Sequence, residues 1–293
     1  MTLMMTKTTT TMTSKILGTL ALEAMLIEVS VTPKPGLVDR NNSGAHRDMG
    51  FFTFMKSAAG LRSCFEEFAE SGIKAGQKNL SPVLLFPELR KIGVIAENEM
   101  FRATQGINTH KGEIFSLGVL SASAGYLAGM NAQINSDSVM TLAGQICEGL
   151  CDKDFAQARN KPRDSLTKGE KIFIDYGITG IRGEAESGYE SVKNIALPAL
   201  RKYLAEGENL NDSLAKTLIH LIAFAHDTNI ISRHDLNIAK KVMNEAAKIL
   251  ENGTDIDSII ELDRNFIRCN ISPGGSGDLL AVTYYLYELD IIS

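Results

Sequence analysis

Apolar residues recur at steps of three and four along most of this chain, and strand-type alternation is scarce. Lys15 to Ser30 reads as a first helix, with Ile16, Leu20, Ala24 and Ile27 on one side. Asp48 to Glu70 repeats Phe51, Met55, Ala58, Phe65 and Phe68 at helical spacing. Pro87–Thr104 follows, then an apolar segment from Lys111 to Met130 and a helix over Ser138–Leu150. The charged stretch Asp152–Lys168 predicts an irregular surface excursion. Ser187–Ala205 is helical again, and Pro198 within it predicts a kink or a split. Further helices are expected at Asp212–Ala225, Asp235–Leu250, Asp255–Cys269 and Ser276–Leu289. The pattern implies an all-α fold, a single globular multi-helix domain over residues 15–293 with a loop-lined polar pocket.

Composition narrows the classes. The chain has 293 residues, long enough to bury a sizeable core, and a formal net charge of -5, which argues against general nucleic-acid binding. Residues 1–14, rich in Thr and Met, lack the apolar block of a signal peptide and read as a disordered tail. The uncharged stretch from Ile114 ends its apolar part near Met130 and is rich in Gly and Ser. It is short for a membrane span and suits a central helix with close neighbours. Cys64, Cys147, Cys151 and Cys269 show no metal-type pairing, which fits reduced thiols in a cytoplasmic protein.

Five helix junctions are dense in polar and ionisable groups. The first, Thr32 to Asp48, opens with Pro33-Lys34-Pro35-Gly36 and continues through Asp39, Arg40 and His46; it reads as a rigid loop presenting polar groups into a cleft. The second, Gly106 to Glu113, places Asn108, Thr109, His110 and Lys111 at the mouth of the most apolar helix. It suits a phosphate at a helix N-terminus, or an N-cap with an exposed lysine. The third, Gly177 to Gly188, holds Arg182, Glu184 and Glu186, fit for metal coordination, general-base work or favouring a helix start. In the fourth, His226 to Asp235, Asp227 and Asn229 offer hard oxygens and Arg233 a phosphate fork, unless it is a solvated turn. The fifth, Ser272 to Asp278, offers the amides of Gly274, Gly275 and Ser276 as an anion nest or a tight turn. Neither a Walker sequence nor a Rossmann fingerprint occurs. Together the junctions predict one pocket for a large phosphorylated ligand.

These motifs resemble the triphosphoribosyl-dephospho-coenzyme A synthase family. The resemblance rests on Pro33–Arg40, Gly44-Ala45-His46, Asn108–Gly112, Arg182–Glu186, Asp227-Thr228-Asn229 and Ser272–Ser276, and it runs from about Leu17 to the C-terminus. It implies that ATP is a ribosyl donor whose anomeric carbon is attacked by 3′-dephospho-coenzyme A while adenine leaves and the triphosphate stays on the product. That product is the precursor of the prosthetic group of citrate lyase or, in a related branch, of malonate decarboxylase. Length and the whole-chain match favour the citrate lyase branch, with a possible handover to the acyl-carrier prosthetic-group transferase. Two departures stand out: Glu113 after the His-Lys-Gly run, which adds charge at the pocket mouth, and His234-Asp235 after Arg233.

Cleavage at the ribose develops positive charge, much as in glycoside cleavage. Asp39 or Glu186 is the expected general base. His46 and His110 could protonate adenine, hold phosphate or be hydrogen-bonded structural histidines. Lys34, Arg40, Lys111, Arg182 and Arg233 are candidates for phosphate contacts, with Asn108, Asn229, Gly274, Gly275, Ser276 and Asp278 completing the substrate site. Magnesium is expected on the triphosphate, with Glu184 and Asp227 as ligands directly or through water. The alternatives are an N-ribosyl hydrolase and a non-catalytic helical module binding nucleotides or an acyl carrier protein.

Overall fold

The computed structural model describes residues 12–293. Residues 1–11 of the expected N-terminal tail lie outside the described residues. The rest of that segment is ordered: Met12 is buried, the Thr13 hydroxyl accepts from the Ile16 amide, and the first helix starts at Ser14.

No strand occurs among the described residues. The helices are α1 (Ser14–Ser30), α2 (Phe51–Gln77), α3 (Phe86–Thr104), α4 (Lys111–Gly129), α5 (Ser136–Ile146), α6 (Leu150–Arg159), α7 (Lys168–Tyr176), α8 (Ile181–Glu186), α9 (Leu197–Ala205), α10 (Leu210–Phe224), α11 (Thr228–Arg233), α12 (Leu236–Glu251), α13 (Ile256–Arg268) and α14 (Gly274–Ile292). α4 is buried along most of its length and touches α1, α2, α3, α5, α8 and α14. Small residues make that possible. A Cβ on Gly72 or Gly76 of α2 would stand 2.0 Å from the Ala122 or Tyr126 carbonyl oxygen of α4. Gly125 and Gly129 of α4 meet α2 in the same way, so the two backbones pack in direct contact. α14, equally apolar, closes the core against α1, α4 and α10.

Three sequence expectations are corrected. The stretch Asp152–Lys168 is mostly ordered, holding most of α6, a 3-10 turn at Arg163–Ser165 and the start of α7. Here the stacked rings of Phe155 and Phe173, 3.9 Å between centroids, supply a local apolar anchor that the charged composition conceals. The expected helix over Ser187–Ala205 starts at Glu190 and runs on unbroken through a π turn at Val192–Ala196 into α9, so Pro198 brings a π turn just before it rather than a split. α2 starts at Phe51, three residues later than its predicted Asp48, and runs on to Gln77.

Candidate functional site

All five polar junctions face one cavity of about 1180 Å³. Its wall is built where helices begin and end. The Thr32–Asp48 loop is folded rigidly by Asp39, whose Oδ1 accepts from the Asn41 and Asn42 amides at 2.7 and 2.8 Å. Its Oδ2 accepts from the Thr32 hydroxyl at 2.6 Å and the Lys34 amide at 3.3 Å. Asp263 of α13 ties the loop down, accepting from the Gly36 amide and the Asn42 side-chain amide. Gly36 has φ +70°, and a Cβ there would stand 2.1 Å from the Ile271 carbonyl oxygen, so no other residue fits this turn.

A second knot joins α11 to α14. Asp227 caps α11, its Oδ1 accepting from the Asn229 and Ile230 amides. Its Oδ2 accepts from the amide and hydroxyl of Ser276 at 2.8 and 3.1 Å. Burial raises the Asp227 carboxyl above the usual range, against the pull of these donors. Gly274 and Gly275 allow the approach: a Cβ on Gly274 would stand 2.9 Å from the Asn229 side-chain nitrogen. Pro273 makes no side-chain cap at the start of α14; Asp227 takes the Ser276 amide, while the Gly274 and Gly275 amides at the cavity lining carry no hydrogen bond to a protein group among the described residues.

Beside that helix start, Nε2 of His46 is 2.9 Å from the Ser272 hydroxyl, and Arg233 lies 3.2 Å from His46 Nδ1. Burial, then the Arg233 charge, hold the His46 imidazole down at about 4, so it is neutral at pH 7. Arg233 makes no ion pair with a carboxylate among the described residues. The other cationic side chains expected at the site are engaged. Arg182 lines the cavity and donates to Asp154, Lys111 pairs with Glu97 at 2.7 Å, and Lys34 is buried against Glu28. The Asn108 side chain accepts from the Lys111 amide and so caps α4.

Four of the expected site residues lie off the cavity wall. Asp39 is buried inside its own loop, and Arg40 is exposed to solvent. Glu186 accepts from the Cys151 amide behind the wall; burial, with this carboxylate beside them, pushes the Cys147 and Cys151 thiols up to about 12. His110 is fully buried, with Nδ1 2.7 Å from the Ser57 hydroxyl and the Phe54 ring edge-on at 4.7 Å. Burial and the Lys34 charge hold His110 at about 3. Of the residues expected at magnesium, Glu184 lines the cavity and accepts from the amide and hydroxyl of Ser191, while the four acceptor positions of Asp227 are filled as described.

The sequence reading missed an acidic floor. Glu28 of α1 and Glu113 of α4 line the cavity with side chains 4% and 2% exposed. One oxygen of each, Oε2, has no partner. Asp278 of α14 joins them, its carboxylate lodged against the first turn of α4, where a Cβ on Gly112 would stand 2.0 Å from Oδ2. Glu113 is thus part of the buried wall rather than an added charge at the mouth. Burial raises Glu28 against the pull of Lys34; burial, then Glu28 and Asp278, drives Glu113 well above the carboxylate range, and burial, then Asp227 and Glu28, does the same to Asp278. Glu28 alone was hidden by its setting, a polar residue on an otherwise ordinary helix. His234 and Asp235, the other departure, accommodate the loop locally: Asp235 caps α12 and His234 reaches the Asn270 carbonyl.

A family model described as ATP:dephospho-CoA triphosphoribosyl transferase matches residues 14–292. The chain belongs to that family. It is a transferase that moves the triphosphoribosyl group of ATP to dephospho-coenzyme A. The chain is also similar to a solved structure from Archaeoglobus fulgidus named "putative triphosphoribosyl-dephospho-coA synthase", at 17% identity and a TM-score of 0.44, over 80% of this chain and 98% of that one. No helix among the described residues is long and apolar enough to cross a membrane.

Proposed function

We propose that this transferase works in the cytoplasm and makes the prosthetic-group precursor of citrate lyase, with the cavity as its active site and a handover of product to the acyl-carrier prosthetic-group transferase. The observation that carries the site assignment is the meeting of all five polar junctions around one cavity, with the free amides of Gly274 and Gly275 and the guanidinium of Arg233, unpaired with any carboxylate among the described residues, on its lining. The family match along nearly the whole chain supports the reaction.

The triphosphate lies against the start of α14, where the amides of Gly274 and Gly275 supply donors and the helix dipole favours anions. Arg233 binds it bidentately, and neutral His46, held by Ser272, fixes the guanidinium in place. Lys111 and Arg182 exchange their carboxylate partners for phosphate as ATP enters, and Asn229 lines the same end. Among the described residues no three acidic, histidine or cysteine side chains are placed to hold a metal ion, and Asp227 has no acceptor position to spare. The donor set does not fit a resident magnesium ion. Magnesium belongs here to the incoming substrate, on the phosphate oxygens of ATP.

The proton acceptor belongs to the acidic floor, because the oxygens of Asp39 are taken up by the loop and Glu186 lies behind the wall. Chromatographic detection of adenine tests the reading. The protein is expected to release adenine from ATP only when dephospho-coenzyme A is present, and Arg233→Ala to weaken ATP binding in calorimetry at least tenfold. Adenine release without the acceptor would make the protein a hydrolase. Unchanged affinity in the variant would remove Arg233 from the phosphate site. The branch is read in cells lacking this protein, where the citrate lyase carrier subunit is expected to lack its prosthetic group.

A further inference from the structure

Glu113 occupies a position that packing alone does not explain. It sits in the first turn of the apolar helix α4, on the cavity lining and almost fully buried, with one carboxyl oxygen bonded to nothing. Glu28 has the same unpartnered oxygen, but its other oxygen holds the buried ammonium of Lys34. Two carboxyl groups at one cavity wall are therefore in unlike surroundings. One is paired with a cation, and the other faces Glu28 from α1 and Asp278 from α14, with only the shared Lys34 opposing them. A buried carboxylate without a cation of its own is costly in its ionised form, and a proton removes that cost. Pairs whose surroundings separate their protonation states mark an acid and a base.

Resting on the reaction and active site proposed above, we propose that Glu113 is a further catalytic residue, the general acid that protonates N7 of the departing adenine, while the Glu28 carboxylate paired with Lys34 accepts the proton of the attacking hydroxyl. The electrons of the bond between C1′ and N9 pass to the adenine as the Glu113 proton passes to N7. The acceptor oxygen bonds to C1′, and its proton goes to Glu28. Adenine leaves as a neutral base, the joined product keeps the phosphate charges of both substrates, and one proton then moves from Glu28 back to Glu113. The burial of both groups makes the charge separation in the transition state local and strong.

The test combines one substitution with one altered donor. In 7-deaza-ATP, position 7 is carbon and takes no proton from an acid. With ATP and dephospho-coenzyme A, Glu113→Gln is expected to bind ATP as the wild type does and to release adenine about a hundredfold more slowly or worse. The wild type is expected to lose a similar factor on 7-deaza-ATP, and the variant to lose little more on that donor, since the same proton transfer is already gone. Losses that multiply would overturn the inference, as would near wild-type adenine release by the variant. If the variant does not fold, the wild type decides: release of the deaza base at the ATP rate overturns it. A wild type that releases no adenine from ATP at all defeats the reaction assigned to the site, a different failure.

Discussion

The two oxygens of Asp39 receive four donors, all from the loop that carries them. Such a carboxylate is a structural tie. Asp39→Asn turns one acceptor oxygen into an NH2 group facing donors, so at least one donor loses its partner inside the protein. Hydrogen bonds to a charged group contribute roughly 1.5–3 kcal/mol each, so the substitution should cost about 2 kcal/mol. Thermal unfolding is the readout: Tm should drop by several degrees, and ATP affinity should fall with it because His46 rides on the same loop. A variant with wild-type Tm and a purely catalytic defect would return Asp39 to the chemistry. Glu28 and Glu113 have the opposite character, each with a buried oxygen that nothing in the protein satisfies.

Helix periodicity made most elements legible. α1, α3, α4, α10, α12 and α13 start and stop within about two residues of what apolar spacing and capping residues such as Asp235 and Asp255 indicate. The short α11 was not legible, because a run of six residues shows less than two turns of period and its cap, Asp227, resembled a metal ligand. The pocket was legible in the junctions, whereas the acidic floor was not, since it needs Glu28, Glu113 and Asp278 from three helices far apart in sequence to meet. At this scale the glycines are the clearest prediction. Gly72→Val places atoms where the α4 backbone already stands, so the helices must part, and the loss should reach about 3 kcal/mol or more. Gly93→Ala is the control: its Cβ meets only the Phe68 ring at 3.9 Å, within α3, and the gain should be about 0.5–1 kcal/mol. Denaturant midpoints of the two variants should move in opposite directions.

Across the molecule, the cavity has room for more than one small ligand. Its volume of about 1180 Å³ exceeds the roughly 300–1,000 Å³ of pockets that hold one small ligand. Its lining brings the Arg233 guanidinium of α11 and the carboxyl groups of Glu28, Glu113 and Asp278 to one space, as a reaction that holds a polyphosphate and moves protons requires. That layout favours both substrates bound together and direct attack of the acceptor on C1′. The competing route has a carboxylate of the floor attack first, giving a ribosyl-enzyme that the acceptor then opens, as in retaining glycoside cleavage. The routes separate cleanly in kinetics. Direct attack predicts intersecting double-reciprocal plots when ATP and dephospho-coenzyme A are varied, and no exchange of labelled adenine into ATP without the acceptor. Parallel lines with acceptor-independent exchange would establish the covalent route, and the unpartnered oxygen of Glu28 would then be the nucleophile to trap.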